Sequence, residues 1–179
     1  MNKGTRLLLL RIAALVFVIG LSISMYLFRD QVRELEAWGY PGIFLISVAA
    51  NATLILPVPG VLITSMMGAV FNPFWVAIAA GSGSAVGELS GYLAGFSGQG
   101  VVENTKVYHR VSGWIQKYGA PVIFVLAFIP NPIFDIAGMI AGMMKMSLWR
   151  FFTWCLLGKI LKMMMFAYLG NQTLKLFQF

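Results

Sequence analysis

From Pro41 to Gly95 the chain carries one charged side chain, Glu88, and this feature most restricts what it can fold into. A stretch of that length with so little charge is typical of segments that cross or enter a membrane. The 179-residue chain is 59% hydrophobic and 11% charged, with a mean hydropathy of +0.82. These values exclude a soluble globular domain and predict an all-α, polytopic membrane protein.

Two proline pairs interrupt the apolar sequence, Pro57 with Pro59 and Pro130 with Pro132. Proline cannot continue a helix and removes a backbone donor, so each pair predicts a turn between two half-helices. In the first hairpin, halves of about 14 to 16 residues would be roughly 21–24 Å long, short of the ~30 Å hydrocarbon layer. Each pair is therefore predicted to be the apex of a re-entrant hairpin, at about 41–71 and 119–146. A single kinked span is the alternative for the first.

Loop charge decides between these two topologies. The hydrophilic loop Gln99–Lys117 carries three of the basic side chains, and such loops tend to stay on the cytoplasmic side of a membrane. A re-entrant first hairpin places this loop in the cytoplasm, whereas a single crossing places it outside. The re-entrant topology is therefore favoured, with true spans at about 74–96 and 149–170.

Residues 1–38 are predicted to form an N-terminal transmembrane helix, Ile12–Phe28, and an interfacial connector, Arg29–Trp38. Basic residues before that helix predict a cytoplasmic N-terminus. Residues 39–179 are predicted to form one membrane domain, in which a pattern of Pro-x-Pro, glycine, tryptophan and closing tyrosine occurs twice. The two hairpins, each followed by a transmembrane helix, would enter from opposite sides and form an inverted repeat, the arrangement in which transporters hold substrate at the midplane.

Charged side chains inside these segments are the candidate pathway residues, because a charge in hydrocarbon must be paired, wetted or neutralised. Glu88 is predicted to be a proton relay or a cation partner, with a structural ion pair as the alternative. Asp135 follows the second apex, where it serves the pathway, caps a helix, or does both. Lys159 lies near the middle of the last span and is predicted to pair with Glu88, Asp135 or a lipid phosphate, unless it snorkels. Lys162 is expected to snorkel to the far interface.

Asparagine and glycine residues complete the candidate set. Asn51 is expected to bond across helices or to line the pathway, and Asn131 to satisfy backbone groups at the apex or to contact a headgroup. Six glycines are predicted helix-packing positions: Gly83, Gly87, Gly91, Gly95, Gly138 and Gly142. The first four repeat at every fourth position and form one smooth stripe on a helix. The sequence contains no catalytic triad, phosphate-binding loop or metal-ligand motif, so no enzyme activity, cofactor or metal is predicted.

The run from Ile129 to Asp135, together with Gly138 and Gly158-Lys159, resembles the VTT (SNARE-associated Golgi protein) domain of the DedA superfamily. The resemblance is closest to the eukaryotic vacuole membrane proteins of that group and covers about Tyr40 to Gly170. It implies two opposed re-entrant hairpins and a role in moving lipids across the bilayer. The matching positions are Pro130, Asn131, Pro132, Asp135, Gly138 and Lys159.

Many bacterial DedA proteins carry acidic residues in the first hairpin and arginines near the second. This chain has no acidic residue in 41–71 and no arginine in 119–146. The resemblance therefore does not imply that this chain couples transport to protons as those bacterial proteins do.

The predicted function is a lipid translocase, a scramblase or flippase that moves a phosphate-bearing lipid between leaflets along a polar midplane groove. One alternative is a proton- or ion-coupled transporter of a small solute that uses Glu88 and Asp135. Another is a non-transporting assembly protein that binds a partner helix through its glycine stripe. The predicted location is a prokaryotic cell membrane.

The predicted partners are membrane lipids, either an anionic or zwitterionic phospholipid or a polyprenyl phosphate. Nucleic acid is excluded as a partner because the net charge of +7 is scattered along the membrane edges and forms no basic patch. The sequence leaves a homo-oligomer open.

Overall fold

The computed structural model of the protein describes residues 36–52, 60–97, 106–130 and 133–177. Over these residues the chain is α-helical and contains no strand, which confirms the predicted all-α class. The predicted N-terminal transmembrane helix and most of the connector lie outside the described residues. So do four predicted apex residues, Pro57, Pro59, Asn131 and Pro132. The division into 1–38 and 39–179 stays a prediction.

In chain order the described helices are α1 (Glu36–Ala52), α2 (Gly60–Val70), α3 (Pro73–Gly87), α4 (Leu89–Phe96), α5 (Lys106–Tyr118), α6 (Pro121–Phe128), α7 (Ile133–Met143) and α8 (Leu148–Phe177). Two boundaries differ from the sequence predictions. The last three residues of the predicted connector belong to α1, and the predicted hydrophilic loop contains the helix α5. That helix packs on the rest of the protein through Val107, Val111 and Ile115, whose four-residue spacing is the usual helical signal.

Helix length separates the spans from the half-helices. Among the described residues, one helix is long and apolar enough to cross a membrane, the segment Leu148–Thr173 of α8. Helices α3 and α4 continue each other across Glu88, whose backbone is helical and whose N–H donates to the Ser84 carbonyl at 3.0 Å. Their 15 and 8 residues, with Glu88, extend about 36 Å. By contrast α2, α6 and α7, with 11, 8 and 11 residues, reach only about 12–17 Å.

Turn residues set where the helices begin and end. The Asn72 side chain accepts the backbone N–H of Phe74 at 3.0 Å and so caps the start of α3. Proline occupies the first position of α6, where its missing N–H costs nothing. At the other end of α6, Ile129 adopts an extended backbone because Pro130 follows it.

Helix α1 lies along α3 in the same direction. The backbone carbonyl of Phe44 lies against Gly83, and that of Val48 lies against Gly87. A side chain at either glycine would overlap these carbonyl groups, so glycine is what permits the close approach.

Helix α7 lies along α4, again in the same direction. A Cβ added at Gly91 would lie 3.8 Å from the Asp135 carbonyl oxygen, and Gly95 lies directly against the backbone of Met139. Gly142, further along α7, lies against the backbone of Tyr92 and Phe96. The predicted glycine stripe is therefore shared between two neighbours, with α1 on its first half and α7 on its second.

The second span, α8, has its own two neighbours. Thr64 of α2 donates a hydrogen bond from its Oγ1 to Sδ of Met163 at 3.3 Å, and Gly68 lies against the backbone of Ala167, so α2 runs along α8 in the same direction. Helix α6 contacts an earlier part of α8 at Gly158. A Cβ added at Gly158 would lie 2.6 Å from the Phe124 carbonyl oxygen.

Two buried apolar clusters hold the helices together. One joins α5, α6 and α7 to the beginning of α8, as far as Cys155. The other joins α1, α2 and α3 to a later part of α8, from Met163 to Ala167. Lys159 therefore lies on α8 between the two clusters.

Candidate functional site: a buried lysine–glutamate pair

The described structure contains a buried ion pair between α8 and the junction of α3 and α4. Lys159 Nζ of α8 lies 2.5 Å from Glu88 Oε1, at the junction of α3 and α4. The two side chains are 4% and 3% exposed. A charge this deeply buried requires a partner, and each of these groups supplies one for the other.

Asn51 connects this ion pair to α1. Its Oδ1 accepts a hydrogen bond from Lys159 Nζ at 3.0 Å. Its Nδ2 donates to Ser84 Oγ at 3.1 Å and to the Ser47 carbonyl at 2.9 Å. The four side chains of Lys159, Glu88, Asn51 and Ser84 are called the polar cluster below.

Helix α7 closes one side of the polar cluster with an aromatic ring. Lys159 Nζ lies 4.7 Å from the centre of the Phe134 ring, close enough for a cation–π interaction. Phe134 is itself fully buried and belongs to the first turn of α7. Four segments thus meet at one ammonium group: the end of α1, the α3–α4 junction, the start of α7 and the middle of α8.

Small residues explain why the polar cluster can form. A Cβ on Gly87 would lie 2.9 Å from the Asn51 Cβ and from the Ala52 nitrogen, so only glycine lets the end of α1 approach α3 here. Ser90 then donates a hydrogen bond to the Ala52 carbonyl at 3.0 Å. This bond satisfies a carbonyl that the end of α1 would leave without a helical partner.

The polar cluster lies near the middle of the α8 segment that is long enough to cross a membrane. Lys159 is eleven residues beyond the start of α8 at Leu148, which corresponds to about 16 Å along the helix axis. The segment Leu148–Thr173 has 26 residues, so Lys159 lies near its midpoint.

Lys162 lies one helical turn beyond Lys159 and is also buried, with 7% of its surface exposed. The expected snorkelling of this side chain is therefore not what the structure shows. Within the described part of the chain, its ammonium makes no hydrogen bond or ion pair. Lys159 and Glu88 pair with each other, so Lys162 is a second buried basic group with no ion-pair partner among the described residues.

Asp135 has a different environment from the other candidates. It lies in the first turn of α7, but its side chain is exposed and forms no ion pair with any described residue. The structure therefore brings Glu88, Lys159 and Asn51 together and leaves Asp135 outside their contacts. Pro130 is exposed at the end of α6, and the other apex residues lie outside the described ranges.

Sequence reasoning missed two members of the site, Ser84 and Phe134. Ser84 precedes Glu88 by four residues and therefore shares its helix face, a signal that the sequence contains. Phe134 carried no signal, because an apolar side chain after an apex is ordinary in a membrane helix. Gly138, predicted as a packing position, has room for a side chain, since an added Cβ would lie 3.6 Å from the Phe151 ring.

Comparison with protein families assigns the chain. The model of the VTT domain matches residues 58–172, well over half of the sequence. The chain belongs to the VTT domain family. This finding confirms the resemblance noted from the second-hairpin motif, and it identifies the chain as a membrane protein. The matched range includes Glu88 and Lys159 and ends before the last turn of α8.

Two curated relatives come from a plant, Arabidopsis thaliana. The chain is 31% identical over 102 residues to vacuole membrane protein KMS2, a match that covers 46% of this chain and 24% of KMS2. It is 38% identical over 55 residues to vacuole membrane protein KMS1, covering 28% of this chain and 13% of KMS1. The matches thus span about a quarter or less of each relative. No solved structure matches the chain. Because these relatives are vacuolar, the predicted prokaryotic location stays a prediction.

Proposed function

We propose that this VTT domain protein is a lipid translocase, which moves phosphate-bearing lipids between the two leaflets. The observation that carries the proposal is the buried polar cluster around Lys159, near the midpoint of the α8 segment that is long enough to cross a membrane. A headgroup that crosses hydrocarbon needs polar contacts at the depth where its desolvation is most costly.

The helix directions support two hairpins that enter from opposite sides. The Tyr40 ring, near the start of α1, lies 5.7 Å from the Phe71 ring at the end of α2. The two ends of the first hairpin are therefore neighbours, as a re-entrant segment requires and a single crossing does not allow. Helix α1 also runs along α3, whereas α2 runs along α8.

The glycine contacts between α2 and α8 have the same spacing as those between α7 and α4, and this agreement supports the inverted repeat. Helices α2 and α8 each place one glycine against the backbone of the other, and α7 and α4 do the same. On every one of these helices, the glycine and the residue that the partner's glycine contacts are three positions apart. The pairs are Gly68 with Ala167 and Gly170 with Ser65, and Gly142 with Tyr92 and Gly95 with Met139. Such a repeat brings the half-helices together near the midplane, where transporters place their sites.

Electrostatics favours phosphate at this midplane. Two buried lysines, Lys159 and Lys162, accompany one buried acidic residue, Glu88, so basic groups outnumber acidic ones there. The N-terminal end of α7, where Phe134 contacts Lys159, adds the positive end of a helix dipole. Large apolar side chains remain exposed along α8, including Trp149, which is 75% exposed. They offer a surface on which acyl chains remain in hydrocarbon while the headgroup crosses.

The proposal is tested with purified protein in vesicles that contain a fluorescent phospholipid in both leaflets. We expect the wild-type protein to expose inner-leaflet lipid to a membrane-impermeant quencher much faster than protein-free vesicles do. Lys159→Met is expected to slow this exchange about tenfold or more, because it removes the midplane charge. Lys175→Gln, an exposed lysine in the last turn of α8, is the matched control and is expected to leave the rate unchanged. Wild-type vesicles that keep their inner-leaflet label would contradict the proposal.

A second candidate function, ion-coupled transport of a small solute, is favoured by the Glu88–Lys159 contact itself. A proton taken up by Glu88 would remove the negative half of the pair and free Lys159. Solute uptake driven by a proton gradient, lost in Glu88→Gln and unaccompanied by lipid exchange, would favour this candidate over the translocase.

The glycine contacts disfavour the assembly-protein alternative. Gly83, Gly87 and Gly95 lie against the backbones of α1 and α7 within the same chain. The stripe therefore leaves little room at these positions for the helix of a partner protein.

A further inference from the structure

Exposed basic side chains gather at one end of the protein, away from the buried site. Five of them lie on α5 or between the end of α7 and the first turn of α8: Lys106, Arg110, Lys117, Lys145 and Arg150. After Glu103 the sequence contains one acidic residue, Asp135, which lies in the first turn of α7 and so at the other end of that helix. These two basic segments therefore carry positive charge with no acidic residue between their ends to balance it.

Packing brings the two basic segments to the same end of the protein. Helix α6 starts three residues after α5 ends, and its Phe124 ring lies 6.1 Å from the Trp154 ring in the second turn of α8. Val107 of α5 packs on the same apolar cluster as Met144 and Met146, which connect α7 to α8. The end of α5 and the start of α8 are therefore neighbours. The exposed surface of both segments is called the basic surface below.

Helix α5 turns one basic stripe away from the protein. Lys106, Arg110 and Lys117 are separated by four and seven residues, a spacing that places them on one side of a helix. All three are exposed, whereas the apolar side of α5 packs on the cluster formed with α6 and α7. A single anionic surface can therefore contact all three side chains at once.

Aromatic side chains place the basic surface at the level of lipid headgroups. Trp114 and Tyr118 of α5 are 39% and 58% exposed, and Trp149 at the start of α8 is 75% exposed. Exposed tryptophan and tyrosine collect at the membrane–water interface, because their rings combine an apolar body with a polar group. Long basic side chains at that level reach the phosphate groups of the surrounding leaflet.

The backbone of Lys145 indicates that its charge, rather than its fit to the turn, accounts for this residue. Its φ is 53°, in the left-handed region that glycine usually occupies after a helix. Its N–H donates to the Gly142 carbonyl at 2.9 Å, and the Met146 N–H donates to the Ala141 carbonyl at 3.0 Å. Glycine at this position would make the same backbone hydrogen bonds without the steric cost of a Cβ.

We propose that the basic surface docks on an anionic leaflet, and that its five basic side chains contact the phosphate groups of the lipids around the protein. This inference goes beyond the proposed function. The basic surface determines which lipids surround the protein, whether or not any lipid crosses the membrane. It is also separate from the polar cluster, because none of its residues belongs to that cluster.

The test measures which lipids the protein holds, by electron spin resonance of spin-labelled phospholipids in vesicles that contain the full chain. We expect the wild-type protein to prefer phosphatidylglycerol over phosphatidylcholine about fivefold or more, because each basic residue near a charged surface contributes roughly that factor. The triple variant Lys106→Gln/Arg110→Gln/Lys117→Gln is expected to lose most of this preference. The charge-conserving variant Lys106→Arg/Arg110→Lys/Lys117→Arg is expected to keep it. So is Lys175→Gln, which removes an exposed lysine at the other end of α8.

Lys145→Gly separates the charge of this residue from its structural effect. Glycine adopts a positive φ without strain, so this variant is expected to have a higher melting temperature than the wild-type protein. It is also expected to have a weaker preference for phosphatidylglycerol. A full preference in Lys145→Gly would overturn the assignment of Lys145 to the basic surface.

The outcomes separate this inference from the proposed function. Equal retention of the two lipids by the wild-type protein would overturn the inference, and so would a preference that survives in the triple glutamine variant. Wild-type protein that shows no lipid preference but binds a soluble polyglutamate peptide would assign the basic surface to an acidic protein instead. A preference that is lost in the triple glutamine variant and kept in the charge-conserving one supports the inference, even if the wild-type protein moves no lipid.

Discussion

Glu88→Ala is expected to destabilise the folded protein by about 3–5 kcal/mol, the usual cost of removing one partner from a buried ion pair. The carboxylate of Glu88 lies 2.5 Å from Lys159 Nζ, and no other described residue forms an ion pair with that ammonium. Its loss would leave Lys159 as an uncompensated charge in the interior. The measurement is the unfolding free energy of the purified protein in mixed micelles, followed by tryptophan fluorescence.

The double variant Glu88→Gln/Lys159→Met is the matched control. It removes both charges and keeps side chains of similar size, so its loss of stability is expected to be smaller than the sum of the losses in the single variants Glu88→Gln and Lys159→Met. The interaction energy from the full cycle is expected to be about 2–3 kcal/mol. If the loss of unfolding free energy in the double variant equalled the sum of the two single losses, the two side chains would not stabilise each other.

Gly142→Val is expected to prevent most of the protein from reaching the folded state. A Cβ at Gly142 would overlap the Tyr92 carbonyl oxygen and approach the Phe96 nitrogen, so α7 and α4 would have to separate. Since these are backbone atoms, no side-chain rotation relieves the overlap. The yield of monodisperse protein after extraction and its melting temperature measure the effect.

Two further glycines make this prediction specific. Gly68→Val is expected to be as damaging as Gly142→Val, because a Cβ there would overlap the backbone of Ala167. Gly113→Ala is expected to be neutral or to stabilise α5 by up to about 1 kcal/mol, because nothing lies within 4 Å of the added Cβ. Normal yield of Gly142→Val would contradict the close contact between α4 and α7.

The sequence identified the charged members of the site because burial of a charge in an apolar segment is costly and therefore conspicuous. Glu88 and Lys159 stand out in their segments for this reason. The choice of Glu88 over Asp135 as the partner of Lys159 depended on helix packing. Glu88 faces α8 from the α3–α4 junction, whereas Asp135 is exposed on α7. Neither arrangement follows from spacing along the chain.

The glycine stripe shows a similar limit. Its four-residue period correctly indicates a helix contact, because such spacing places all four glycines on one face. The period contains no information on how many helices use that face. The change of partner from α1 to α7 occurs around Glu88, because α1 ends beside Gly87 and α7 begins beside Gly91.

Helix α5 was missed for a physical reason. This segment contains as many polar and charged residues as hydrophobic ones, and that composition resembles a loop more than a membrane helix. Its structure depends on three apolar residues, Val107, Val111 and Ile115, that pack on the cluster formed by α6 and α7. Periodicity, rather than mean composition, contained the signal.

The central claim is that two hairpins enter the membrane from opposite sides and that their half-helices meet at Lys159. Single cysteines at Pro41, Asn72, Pro121 and Ser147, all exposed in the structure, test it most directly when Cys155 is replaced by alanine. An impermeant thiol reagent is added to one side of oriented vesicles and then to the other. We expect the positions at Pro41 and Asn72 to react from one side, and those at Pro121 and Ser147 from the opposite side. Labelling of Pro41→Cys and Asn72→Cys from different sides would contradict the claim, because the first hairpin would then cross the membrane.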